Sequence, residues 1–170
     1  MAEPFRVMTV CTGNICRSPI AEVVLRDRFE AAGLGDRVVV DSGGISSEER
    51  GNPIDPRAAR VLREAGYPVP TGTAHQVTAG DIAHRDLLLA MTAQHARRLR
   101  TQAPDAASAG RVRMYRSFDP AAPSLDVVDE RELDVEDPWY GGHDDFLSTL
   151  EQVEAAADAV VEHVRGRLAR

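Results

Sequence analysis

The sequence predicts an open α/β fold, a single domain over residues 1–170 with four parallel strands, helices on both faces and a tight loop after the first strand. Three observations carry that prediction. Four short apolar runs alternate with segments whose apolar residues recur at helical spacing. Because helices join the runs, the connections are right-handed crossovers and the strands parallel. A chain of 170 residues with 43% hydrophobic content is long enough to bury a sizeable core.

In chain order, Phe5 to Val10 reads as the first strand. In the stretch that follows it, Ser18 suits a helix N-cap and Pro19 the first helical position, where a missing N–H costs nothing. That helix runs to about Ala31 and is closed by Gly33. Val38–Val40 is a buried strand, and Asp41–Gly44 reads as a loop at its carboxyl end. Asp55 and Pro56 start a second helix, in which Ala58, Val61, Leu62 and Ala65 keep helical spacing until Gly66. Tyr67 to Gln76 is turn-rich, and Thr78 caps a short helical turn. Asp86–Ala90 is the third strand, Thr92 caps a polar helix to about Ala103, and Arg111–Tyr115 is the fourth strand. Residues 116–142 form a long loop rich in Pro and Asp, a length that usually marks function. Apolar residues from Phe146 to Leu168 then mark a long closing amphipathic helix.

Composition narrows the function classes. The net charge is −7 and all 20 basic residues are arginine, which argues against nonspecific nucleic-acid binding. Met1 to Arg6 is too short and polar for a signal peptide, and no apolar run approaches membrane-spanning length. A cytoplasmic monomer is expected. The two cysteines, Cys11 and Cys16, cannot build a disulfide framework or a four-ligand zinc site, and the five histidines show no ligand spacing.

The chemistry concentrates in Cys11-Thr12-Gly13-Asn14-Ile15-Cys16-Arg17-Ser18-Pro19. Five residues separate the thiol from the arginine, few enough that the loop must curl. Curled, its successive N–H groups form an anion-binding nest, and the positive end of the following helix faces the same cavity. A thiol between a helix N-terminus and a cation reads as a thiolate nucleophile. In an open α/β sheet, this is also where a phosphate is expected to bind.

This stretch resembles the Cys-x5-Arg-Ser loop of the low-molecular-weight protein-tyrosine phosphatases. The likeness extends to Ser42 after the second strand, Ser117-Phe118-Asp119-Pro120 after the fourth, and Asp137-Pro138-Trp139-Tyr140-Gly141 before the last helix. It implies hydrolysis of phosphotyrosine in proteins, and of small aryl phosphates, with Cys11 as nucleophile, a cysteinyl-phosphate intermediate and no metal or cofactor. Arg17 would bind two phosphoryl oxygens, and the backbone of Thr12, Gly13, Asn14, Ile15 and Cys16 would complete the cradle. Asp137 would be the general acid, although Asp134 and Glu136 are also near in sequence. Ser18 would donate to the Cys11 sulfur, and Asn14 would hold the loop through Ser42. Trp139 and Tyr140 would wall the substrate ring, and Cys16 is either a packing residue or a disulfide-forming shield for Cys11.

The sequence departs from the family pattern in two places. Relatives commonly carry an aromatic residue in the loop after the second strand, where this chain reads Ile45-Ser46-Ser47-Glu48-Glu49-Arg50-Gly51. Relatives also often place a histidine where Gly72 stands, and His75 is displaced from it and receives no role. A protein-arginine phosphatase on the same fold is the alternative. There a small threonine is expected at position 15, and bulkier Ile15 favours phosphotyrosine. An arsenate reductase would need further cysteines, and a dead phosphate-binding module would have lost Cys11, Arg17 or Asp137.

Overall fold

The computed structural model describes residues 2–170. Four strands, β1 (Phe5–Cys11), β2 (Val38–Gly44), β3 (Leu87–Ala90) and β4 (Val112–Met114), form one sheet in the order β2-β1-β3-β4. Every pairing is parallel. The chain leaves β1 toward β2 on one side and returns to β3 on the other, so the end of β1 is a topological switch point.

Six helices cover the sheet: α1 (Arg17–Ala31), α2 (Pro56–Glu64), α3 (Ala79–Ala83), α4 (Ala93–Gln102), α5 (Ala106–Ala109) and α6 (His143–Leu168). Alternation along the strands divides the core in two. Val7 and Cys11 of β1, with Leu87 and Leu89 of β3, join a layer under α1, α2 and α6. Met8, Val10, Leu88 and Ala90 face the opposite layer, with Ile82, Ala96 and Leu99. Helices therefore lie on both faces. Among the described residues no helix is long and apolar enough to cross a membrane.

The structure corrects several predicted boundaries. β2 continues through the predicted loop Asp41–Gly44, because the pairings Met8–Asp41 to Cys11–Gly44 keep it in register with β1. Gly44 has a packing reason: a Cβ there would lie 2.7 Å from the Thr12 carbonyl oxygen. Helix α1 starts two residues before the Ser18–Pro19 pair predicts. Its N-cap is Cys16, with no side-chain cap, and Pro19 still falls among first-turn positions whose N–H has no helical partner. Strand β4 stops at Met114, since Tyr115 enters a 3₁₀ turn, and α5, capped by Asp105, lies in a segment too short to show periodicity. The long segment after β4 contains further 3₁₀ turns at Glu130–Leu133 and Pro138–Tyr140.

Candidate active site

Three carbonyls of the loop after β1 are tied outward. Ile45 N donates to Cys11 O at 3.0 Å, Ser46 N to Thr12 O at 3.0 Å, and Asp55 N to Ile15 O at 2.9 Å. In a peptide unit N–H and C=O point opposite ways, so outward carbonyls turn the loop's N–H groups inward. The uncapped start of α1 adds its first-turn N–H groups to the same hollow.

Asn14 makes the curl possible. Its φ of 60° is the only positive value at a non-glycine among the described residues. Asparagine tolerates that conformation better than most side chains. Its amide also pins the loop: Nδ2 donates to Ser18 Oγ at 2.8 Å and Ser42 Oγ at 2.9 Å, while Oδ1 accepts from His75 N at 2.9 Å. Ser18 Oγ lies 3.0 Å from Cys11 Sγ and 3.3 Å from Gly43 O. Ser18 accepts from Asn14, and its one proton is shared between the Cys11 sulfur, at the shorter distance, and the Gly43 carbonyl.

Arg17 is 4% exposed and runs under the same hollow. Its NH1 donates to Val135 O at 3.0 Å, its NH2 reaches Thr12 Oγ1 at 3.4 Å, and its Nε is buried with no partner. Asp137 sits opposite, Oδ2 3.5 Å from Arg17 NH2. The segment that carries Asp137 is anchored from below. Leu133 and Val135 are fully buried, Val135 N donates to Met91 O at 2.8 Å, and Asp134 Oδ1 accepts Ala93 N at the start of α4. Asp134 is thereby occupied as a helix cap. Asp137 lines the cavity of about 230 Å³ that holds Cys11, whereas Glu136 lines only the adjoining cleft, which Thr12, Arg17 and Asp137 also border.

The cavity at Cys11 is also lined by Ile15, Glu48, Glu49, Trp139 and Tyr140. One side is therefore aromatic and the other acidic. Glu49 is braced by Asn52 Nδ2 at 2.7 Å, and its Cγ lies 3.0 Å from where a Cβ on Gly13 would stand. Cys16 is buried, and its thiol is pushed up by that burial and then by the Asp55 carboxylate. Both cysteines are free.

Two residues that the motifs do not single out belong to this neighbourhood. Arg57 grips both Asp55 oxygens, at 3.1 and 3.0 Å, and donates to Trp139 O at 2.9 Å and Gly141 O at 3.2 Å. Its guanidinium lies 5.2 Å from the centre of the Trp139 ring. It thus links the loop, through Asp55, to the segment bearing Asp137. His95, 1% exposed on the first turn of α4, holds Thr12 Oγ1 at 2.8 Å through Nε2. Burial and then the Arg17 charge push its imidazole down to about 3, so it stays neutral. The available signal for His95 was its place three residues after the Thr92 cap, at the carboxyl end of a central strand.

This fold and cradle define a class, the α/β phosphatases built on a Cys-x5-Arg loop. The model of the low molecular weight phosphotyrosine protein phosphatases matches residues 6–169, and the chain belongs to that family. A low molecular weight protein-tyrosine-phosphatase from Streptomyces coelicolor is 46% identical over 169 residues, 97% of this chain and 99% of the relative. Among solved structures, a protein tyrosine phosphatase from Entamoeba histolytica with Hepes in its active site has a TM-score of 0.87 at 25% identity. It covers 96% of this chain and 99% of its own. The arginine phosphatase YwlE, solved as a mutant with a phosphorylated active-site serine, has a TM-score of 0.78 at 25% identity. It covers 95% of this chain and 96% of its own.

Proposed function

We propose that the protein hydrolyses phosphotyrosine in proteins, as a cytoplasmic monomer without metal or cofactor, through a cysteinyl-phosphate. The observation that carries this is the buried, unpartnered Nε of Arg17, beside a thiol and inward N–H groups. A buried charged donor without a partner is costly, and an oxyanion in the hollow would satisfy it.

In the first step the Cys11 thiolate forms an S–P bond as the P–O bond to tyrosine breaks. Asp137, protonated, delivers its proton to the departing phenolic oxygen. Arg17 exchanges its contact with Asp137 for two phosphoryl oxygens, and the loop N–H groups take the remaining charge. In the second step water attacks phosphorus, Asp137 takes back the proton, and the S–P bond breaks to release orthophosphate. Ser18 steadies the sulfur as leaving group through the 3.0 Å contact. Trp139 and Tyr140 flank the substrate ring. Ile15, at the edge of the hollow, favours the flat phenolic ester over phosphoarginine.

Cys11→Ser is expected to lower kcat on p-nitrophenyl phosphate and on phosphotyrosine peptides by ~10³-fold or more. Asp137→Asn is expected to lose ~10²–10⁴-fold on phosphotyrosine and progressively less as the leaving group becomes more acidic. Strong residual turnover in Cys11→Ser, or a leaving-group dependence unchanged in Asp137→Asn, would falsify the corresponding role.

A further inference from the structure

Asp137 opens the 3₁₀ turn Pro138–Tyr140, and its two carboxyl oxygens are held differently. Oδ1 accepts the Trp139 N–H at 3.2 Å, whereas Oδ2 lies 3.5 Å from Arg17 NH2. The oxygen left to carry a proton toward the leaving group is therefore Oδ2, and the Trp139 peptide sets its direction. Yet this turn stands largely in water. Trp139 is 41% and Tyr140 93% exposed, and only Pro138 is buried. Its closing bond, Gly141 N to Pro138 O at 2.9 Å, fixes its shape but not its place.

Arg57 fixes the place. Its NH1 donates to both Trp139 O and Gly141 O, and among the described residues no other hydrogen bond ties residues 138–141 to a distant part of the chain. The opposite edge of the guanidinium, Nε and NH2, takes both oxygens of Asp55. Asp55 is buried, caps α2 by accepting Arg57 N at 2.8 Å, and donates its own N–H to Ile15 O of the cradle. The guanidinium also lies 4.6 Å from the centre of the buried Phe146 ring in the first turn of α6. One planar group thus spans from the cradle to the acid. Only such a fork can meet a carboxylate and two carbonyls at once.

We propose that Arg57 is a positioning residue for proton transfer, holding the Pro138–Tyr140 turn over the cradle so that Asp137 Oδ2 meets the leaving oxygen. This role rests on Asp137 being the general acid. Arg57 does not line the cavity at Cys11, so its loss misplaces the acid and leaves Cys11 and Arg17 as they are. A misplaced acid costs most where the leaving group most needs a proton.

The test compares kcat/KM for phenyl phosphate, a poor leaving group, and p-nitrophenyl phosphate, a good one. Arg57→Met removes the fork and keeps an apolar stem over Phe146. Phenyl phosphate is expected to lose about thirtyfold and p-nitrophenyl phosphate about fivefold. Inhibition by orthophosphate should change by less than about twofold. Added to Asp137→Asn, the same replacement should cost less than about twofold on either ester. Arg57→Lys keeps a charge beside Asp55 without the fork, should order the two esters in the same way, and serves where Arg57→Met does not fold. Equal losses on both esters, a matching loss of orthophosphate affinity, or an undiminished loss on top of Asp137→Asn would place the action of Arg57 in the cradle and overturn the proposal. Unaltered kinetics in either Arg57 variant would overturn it as well. An Asp137→Asn enzyme that separates the esters no more than the parent does overturns the acid itself. Separation there with none in the Arg57 variants overturns the role of Arg57 alone.

Discussion

Cys11, Asn14, Arg17 and Ser18, on the floor of the cleft, are each at most 5% exposed and bonded to one another or to the framework, whereas on the rim Tyr140 is 93% exposed. Glu48 and Glu49 are likewise half or fully exposed, and of the two only Glu49's carboxylate is braced by a neighbour, Asn52. Floor and rim therefore carry different properties. Floor groups sit where one lost hydrogen bond costs about 1–3 kcal/mol, so their geometry is stiff. Rim charges act in water and are screened by salt, so they adjust preference without touching the reaction.

The sharpest way to break that contrast is at Asn14. Asn14→Ala removes three hydrogen bonds and leaves a side chain ill suited to a φ of 60°. It should lower kcat on aryl phosphates ~10²-fold. Asn14→Gly relieves the backbone and should recover stability but not kcat. Near-normal kcat in Asn14→Ala would mean the floor is stiff without it.

A smaller effect is expected at His95, and it shows in stability. The folded imidazole is held down to about 3, whereas in the unfolded chain histidine titrates near ~6.5. Below that value the unfolded chain binds the extra proton, so stability is full above pH ~6.5 and falls as the pH drops toward 3. The slope from this residue approaches ~1.4 kcal/mol per pH unit, and His95→Asn should flatten it in denaturant titrations at pH 7 and pH 5. An unchanged slope would show that His95 does not titrate as its burial and the Arg17 charge require.

The least effect belongs to the rim. Replacing Glu48 and Glu49 together by glutamine should leave p-nitrophenyl phosphate turnover nearly unchanged. It should narrow, a few-fold at low salt, the preference for phosphotyrosine peptides with basic over acidic flanks. If that preference survives the double replacement, another surface sets it.

The sheet was legible because its strands are continuous apolar runs, and the Cys11–Pro19 stretch because a thiol, an arginine and a tight turn so rarely coincide. What was hidden depended on partners distant in sequence. Asp41–Gly44 has the composition of a turn and becomes strand only because β1 lies beside it in register. Ser18 has the composition of an N-cap, yet its hydroxyl is claimed by Asn14 and Cys11 and the helix begins at Arg17. Asp137 could not be separated from Asp134 and Glu136 by spacing; in the structure Asp134 is spent on α4, and of the three only Asp137 lines the cavity at Cys11. Arg57 carried no local signal, and His95 only its place after the Thr92 cap, because each acts on a segment about 80 residues away.

The outward ties of the loop carbonyls bear on what a thermometer and an assay would each register. Ile45, Ser46 and Asp55 hold the cradle open from a stretch that reaches the core only through Ile45 and the half-buried Ile54. Fraying of that stretch would cost far less than melting the sheet, and the N–H groups would then be free to rotate away. Catalytic competence is therefore expected to melt below the temperature at which the sheet unfolds, and the exchange rates of those three amide protons, compared with those of β1, measure the interval.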